Sequence, residues 1–223
     1  EGDAAIAGFL DDYAFLIWGL IELYEAAFEA KYLRCAIDLT DKMLKHFWDQ
    51  TSGGFYQTAD DSEVTLDRNK EIHDSAYPSG NSVAALNLIR LARIAGETRF
   101  EEKAEQLMHA FAGEVSRTPH SCAQLMIALD FALGPSSEVV IVGDPQKDDT
   151  AQMLQTLRSK FIPRKVVLFR SSLEESPEIT DLSKFTKNFK AKEGKATVFV
   201  CQDYVCKTPT TNTYAMLELL DNQ

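Results

Sequence analysis

The sequence predicts a mainly α chain, a double layer of helical hairpins followed by a small α/β unit, and three observations carry that prediction. Apolar residues recur at helical spacing through the first 134 residues. The helices so defined alternate between enclosed and amphipathic patterns. After Gly134-Pro135 the spacing gives way to short β-branched runs.

Residues 6–28 are apolar on nearly every face, interrupted by Asp11, Asp12, Glu22 and Glu25, which predicts a helix enclosed by protein. Residues 32–47 carry one stripe, Leu33, Ala36, Ile37, Thr40, Leu44 and Phe47, opposite charged positions, as an outer helix does. The alternation repeats with residues 82–95, apolar except for Asn87, Arg90 and Arg93, and residues 100–112, striped by Phe100, Ala104, Leu107, Met108 and Phe111. Residues 120–133 follow Pro119 as a third inner helix. Gly96 is placed to end the third helix, and Ser82 or Asn81 to open it. Behind Gly134, the runs 139–142, 165–169 and 196–201 read as buried strands, the first two linked by a helical segment in a βαβ unit.

Composition excludes several roles. The net charge of -11, from 34 acidic and 23 basic residues, would repel a phosphate backbone, so no nucleic acid is expected as partner. No apolar run approaches the roughly 20 residues that cross a bilayer, so no membrane partner is expected either. The chain opens at Glu1 without methionine and runs at once into a helical pattern, which implies sequence upstream. Cys35 and Cys122 stand in apolar helical patterns and Cys201 and Cys206 flank a turn. Two buried thiols and a reduced pair suit a cytoplasmic protein, with secretion left open and zinc disfavoured for want of further ligands. No metal and no cofactor are expected.

One long connection, residues 49–80, ends in His73-Asp74-Ser75-Ala76-Tyr77-Pro78-Ser79-Gly80-Asn81-Ser82, dense in hydrogen-bonding side chains at a helix start. Of the neighbours Asp11 and Asp12, about 100° apart on a helix, only one can face inward. The candidate catalytic set is Asp12 and Asp74 as general acid and base with His73 as a second proton carrier. Tyr13, Phe55, Tyr56, Tyr77, Ser79 and Asn81 are the candidate ligand-binding residues. Against this stands a plainer reading, in which the same residues cap helices, shape turns and fill the core.

Gly8-Phe9-Leu10-Asp11-Asp12-Tyr13-Ala14-Phe15, Phe47-Trp48-Asp49 with Gly53-Gly54-Phe55, and Pro78-Ser79-Gly80-Asn81-Ser82-Val83-Ala84-Ala85, in that order, resemble the YyaL family. That family includes spermatogenesis-associated, thioredoxin-domain-containing proteins of animals. The tail resembles it too, through residues 139–145, Phe161-Ile162-Pro163 and Phe199-Val200-Cys201 with Cys206 and Pro209. The resemblance implies a longer protein with an N-terminal thioredoxin-like domain and an α/α toroid of the six-hairpin glycosidase type. Residues 1–134 would then be hairpins of an incomplete toroid and residues 135–223 a C-terminal α/β unit. It also implies carbohydrate chemistry, a glycoside hydrolase or sugar epimerase with a small sugar as ligand. The alternative is a non-catalytic binding or scaffold module supporting the thioredoxin-like domain.

Overall fold

The computed structural model describes residues 7–62, 68–175 and 177–221. Ile6, where the first helix was expected to open, lies outside them. The chain is mostly helical, with one four-stranded mixed sheet. It divides into two compact units: residues 1–24, 31–92 and 97–130, and residues 25–30, 93–96 and 131–223.

The first unit holds most of α1 (Leu10–Ala27), α2 (Ala30–His46) and α3 (Gly80–Ala95), all of α4 (Thr98–Arg117) and the start of α5 (Ala123–Leu133). Helix α2 buries Leu33, Ala36, Thr40 and Met43, and α4 buries Phe100, Ala104, Leu107 and Phe111, each on one side, as their stripes require. Helix α3 is buried along its length, so its polar residues must find partners inside. Asn87 Nδ2 donates to the Ala14 carbonyl at 2.8 Å, and Arg90 Nη1 meets Glu22 Oε1 at 2.5 Å.

The expectations for three helices need correction. Helix α1 is not enclosed: Leu10, Ala14, Ile17, Ile21 and Tyr24 form one buried stripe, while Leu16 and Leu23 are exposed. Helix α5 likewise buries Leu125 and Ala128 but exposes Met126 and Ile127. High apolar content all round a helix does not say which faces have neighbours. Helix α3 also starts earlier than expected, at Gly80, and its cap is Ser79, whose Oγ accepts from the Ser82 amide at 3.2 Å. Gly96, at φ 71°, ends it as expected.

The second unit is built on a sheet of order β2-β1-β3-β4, from β1 (Ser137–Gly143), β2 (Lys165–Ser171), β3 (Thr197–Gln202) and β4 (Val205–Cys206). β1 and β2 run parallel around α6 (Asp148–Arg158), the expected βαβ unit. β3 is antiparallel to β1 with Glu138 opposite Cys201, Val139 opposite Val200 and Ile141 opposite Val198. Because alternate residues share a face, Val139, Ile141, Val198 and Val200 pack with Met153 and Leu157 of α6 and Met216 and Leu220 of α8 (Thr213–Asp221). Between β2 and β3 lies a short α7 (Ile179–Leu182).

The cysteines also differ from expectation. Cys201 and Cys206 are not a reduced pair but a disulfide, and Cys35 is exposed, leaving Cys122 as the buried thiol.

Candidate functional site

The long connection is ordered by Asp49 at its start. The Asp49 amide donates to the Gly54 carbonyl at 2.9 Å and its carbonyl accepts from the Gly53 amide at 3.1 Å, closing a turn in which Gly53 and Gly54 hold φ of 74° and 77°. A Cβ at Gly54 would also lie 2.9 Å from the Phe111 ring, so both conformation and space demand glycine. The Asp49 carboxylate accepts from the Thr51 amide (2.8 Å), Ser52 Oγ (2.6 Å) and the Tyr56 hydroxyl (3.0 Å), and pairs with Lys70 Nζ at 2.5 Å. The Lys70 ammonium and these donors hold its pKa well below the usual carboxylate range.

Tyr56, expected to meet a ligand, is thereby tied to Asp49, with the Arg68 guanidinium 4.2 Å from its ring centroid. Phe55 is fully buried and packs edge-on against Trp48 at 4.9 Å. It is core, not a platform, because the bridge between Trp48 and Phe55 turns its side chain inward.

Asn81 is fully buried as well, and every polar atom of its side chain is used. Oδ1 accepts from the Phe55 amide at 2.7 Å, and Nδ2 donates to the carbonyls of Phe55 and Glu71, each at 2.9 Å. It clamps two stretches of the connection to the start of α3 and leaves no surface for a ligand. Ser79 Oγ lies 3.1 Å from the Ile72 carbonyl and 2.9 Å from Ser82 Oγ, also inside. Asp74 accepts the Ser79 amide on Oδ1 (3.0 Å) and the Gln124 amide in the first turn of α5 on Oδ2 (2.8 Å). A carboxylate at a helix N-terminus that satisfies an otherwise orphaned amide contributes about 1 kcal/mol. These are structural duties, and they remove Asn81, Ser79 and Asp74 from the group facing solvent.

At the start of α1 the two aspartates divide. Asp12, the expected acid, is exposed, and its Oδ2 accepts the Phe9 amide at 2.8 Å, the carboxylate half of a capping box. Asp11 is the one that turns in. Its Oδ1 is enclosed beside Gly80 without a well-formed hydrogen bond, and a Cβ at position 80 would collide with it. Burial pushes the Asp11 pKa up, offset in part by the nearby Gly80 amide and reinforced by the charges of Asp12 and Glu71.

Asp11 and Asp12 line an open cleft of about 720 Å³ with Phe9, Phe15 and Tyr77. Tyr77 and Phe9 are 59% and 50% exposed, and the Tyr77 ring meets Phe15 edge-on at 6.2 Å. Of the residues expected at a site, Asp12 and Tyr77 come together here. His73 is exposed elsewhere on the connection, 3.5 Å from Glu71 Oε1.

Tyr13 faces a separate cavity of about 370 Å³ and packs on Phe47 at 5.1 Å. His46 and Asp61 line it too. His46 Nδ1 lies 2.9 Å from Asp60 and 3.4 Å from Asp61, and this hydrogen bond lowers the Asp60 pKa. Among the described residues these three bring ligand-type atoms within 4.8 Å of one another. Lys42 and Lys45 line the same cavity, which disfavours a cation, and the trio is accounted for by the contacts of His46 with the two aspartates.

A helical unit with an aromatic, acidic cleft and a mixed-sheet unit closed by a hairpin disulfide define the class of chain; among the described residues no helix is long and apolar enough to cross a membrane. No protein-family model matches the sequence. It is similar to spermatogenesis-associated protein 20 of Rattus norvegicus, 35% identical over 216 residues, which are 96% of this chain and 27% of the rat protein. The Homo sapiens protein of that name is 34% identical over 214 residues, again 96% of this chain and 27% of the relative. An uncharacterized protein of Caenorhabditis elegans is 31% identical over 223 residues, 99% of this chain and 30% of its own length. These matches support the resemblance to the spermatogenesis-associated protein 20 family, and the chain spans little more than a quarter of the length of these relatives.

Proposed function

We propose that the helical unit binds a small polyhydroxylated ligand, a sugar by class, in the cleft lined by Phe9, Asp11, Asp12, Phe15 and Tyr77. One observation carries this reading: two carboxylates share an open cleft with aromatic rings that are half exposed. Carboxylates accept hydroxyl hydrogen bonds, while ring faces take the apolar C–H side of a sugar. In this reading Asp11, whose pKa is raised by burial, is the proton donor in place of Asp12. Glu71, whose charge reaches Asp11, takes the role expected of Asp74, with His73 beside it as proton carrier.

The helices are then closing hairpins of an α/α toroid, with the division into helical and α/β parts falling near Gly134. What supports this is the contrast between α3, covered throughout, and α1 and α5, which leave Leu16, Leu23, Met126 and Ile127 bare as end helices of an unfinished ring would.

A second reading, a non-catalytic module supporting the thioredoxin-like domain that the resemblance implies, is favoured by the commitment of Asp74, Ser79 and Asn81 to the fold. Thermal denaturation of the chain with a panel of mono- and disaccharides separates the two. A ligand at 100 times its Kd stabilises by about 2.7 kcal/mol. The proposal expects a sugar-specific rise in Tm that Asp11→Asn and Tyr77→Ala abolish, and no rise with any sugar leaves the support module standing.

A further inference from the structure

The second unit carries reactive side chains that the cleft does not use. β3 and β4 turn through Asp203 and Tyr204, at φ of 49° and 62°, and Cys201 and Cys206 are joined across the hairpin. On the other side of Cys201, β1 places Glu138 directly opposite it. Directly paired residues of antiparallel strands project from the same face with Cβ atoms about 4.5–5.5 Å apart, so the Glu138 and Cys201 side chains stand side by side on one face of the sheet.

The Glu138 side chain has 0% exposure, where a carboxylate is costly without partners or a task. Its partners are few. Oε2 accepts the Tyr204 amide at 3.2 Å, and Oε1 lies 3.5 Å from Arg93 Nη1, which is held more closely by Asp203 at 2.7 Å. Burial pushes its pKa up, toward the protonated form. Cys201 is buried and Cys206 is half-buried, so Cys206 is the half of the disulfide more open to an incoming group.

The disulfide is poorly placed as a staple. A cross-link constrains the unfolded chain more as its loop lengthens, and this one joins residues only five apart. The hairpin is fixed without it, by the pairing of Gln202 with Val205 and by the Lys207 amide on the Val200 carbonyl at 2.9 Å.

We propose that Cys201–Cys206 is a redox-active disulfide that exchanges with a dithiol carrier, and that Glu138 is the proton donor to the sulfur that leaves. A thiolate of the carrier attacks Cys206 Sγ, the Cys201–Cys206 bond breaks, and its electron pair passes to Cys201 Sγ, which takes the proton of Glu138. The second carrier thiol, on losing its proton, attacks the mixed disulfide and releases Cys206 as a thiolate that is protonated from solvent. Glu138 regains its proton from solvent. The carrier ends as a disulfide and the chain as a dithiol, and the reverse sequence oxidises the chain.

The test is reduction of the whole chain by dithiothreitol, quenched by alkylation and read by mass spectrometry. Cys35, exposed, labels with or without reductant, and buried Cys122 reports unfolding. The proposal expects Cys201 and Cys206 to label while Cys122 stays blocked, and Glu138→Gln to slow reduction at least about a hundredfold, the low end for loss of a positioned acid. Labelling only together with Cys122, or an unchanged rate in Glu138→Gln, overturns it. Should that variant not fold, the infrared difference between the oxidised and reduced wild-type chain decides: a change in the C=O stretch of a protonated carboxyl supports the proposal, and a flat carboxyl region overturns it.

Discussion

Asp74 and Asp11 belong to the same helical unit and meet the start of α3 at the adjacent residues Ser79 and Gly80, yet they have opposite fates. Asp74 spends both oxygens on backbone amides, of Ser79 and Gln124, and its charge is consumed by holding the connection against α5. Asp11 keeps one oxygen enclosed beside Gly80 without a well-formed hydrogen bond and opens on a cleft with aromatic walls. What separates a structural carboxylate from a candidate for chemistry is not burial but whether its lone pairs are already taken.

That contrast is broken most severely by Asn81→Ala, which orphans the Phe55 amide and the Phe55 and Glu71 carbonyls at once. Each buried unsatisfied group costs about 1–3 kcal/mol, so a loss of about 3–4 kcal/mol in chemical denaturation is expected. Asp74→Ala comes next, at about 2 kcal/mol by the same measurement, for two amides left without acceptors.

Lys70→Met tests the Asp49 hub through pH. The folded Asp49 pKa is depressed, so its stabilisation is present above the unfolded value near 3.8 and is lost as pH falls through the folded value. Thermal melts should therefore show a lower Tm at neutral pH for Lys70→Met, and a gap to wild type that narrows below about pH 4.

Asp11→Asn has the smallest effect on stability. The folded Asp11 pKa is raised, so its favourable contribution exists below the unfolded value and is lost as pH rises through the folded one. Removing the charge should leave neutral-pH stability equal or slightly higher, within about 0.5 kcal/mol, while abolishing the sugar-dependent shift.

Much of this was legible in the sequence, and the failures share a cause. The striped helices α2 and α4, the βαβ unit and the glycines of the connection follow from periodicity and turn chemistry, which are local. The burial of α1 and α5 is not legible there, because an apolar face is visible in sequence whether or not anything covers it. Asp11 and Asp12 were seen as a pair of which one turns in; a 100° step cannot say which without knowing where Gly80 lies. The polarity of Asn81 and Ser79 shows in sequence and suggests a ligand, while the backbone groups they satisfy, 26 and 7 residues away, do not show. Asp49 did carry a signal, an aspartate opening Thr51-Ser52-Gly53-Gly54, that marks an Asx turn. Glu138 and the Cys201–Cys206 bond depend on strand register, which no single strand encodes.

The most direct test of the central claim is the pH titration of the Asp11 side-chain carboxyl by 13C NMR, alone and with the sugar panel. The account predicts a midpoint above the ordinary 3.8 that moves when a sugar occupies the cleft. A midpoint at or below that value, unmoved by every sugar, would contradict it.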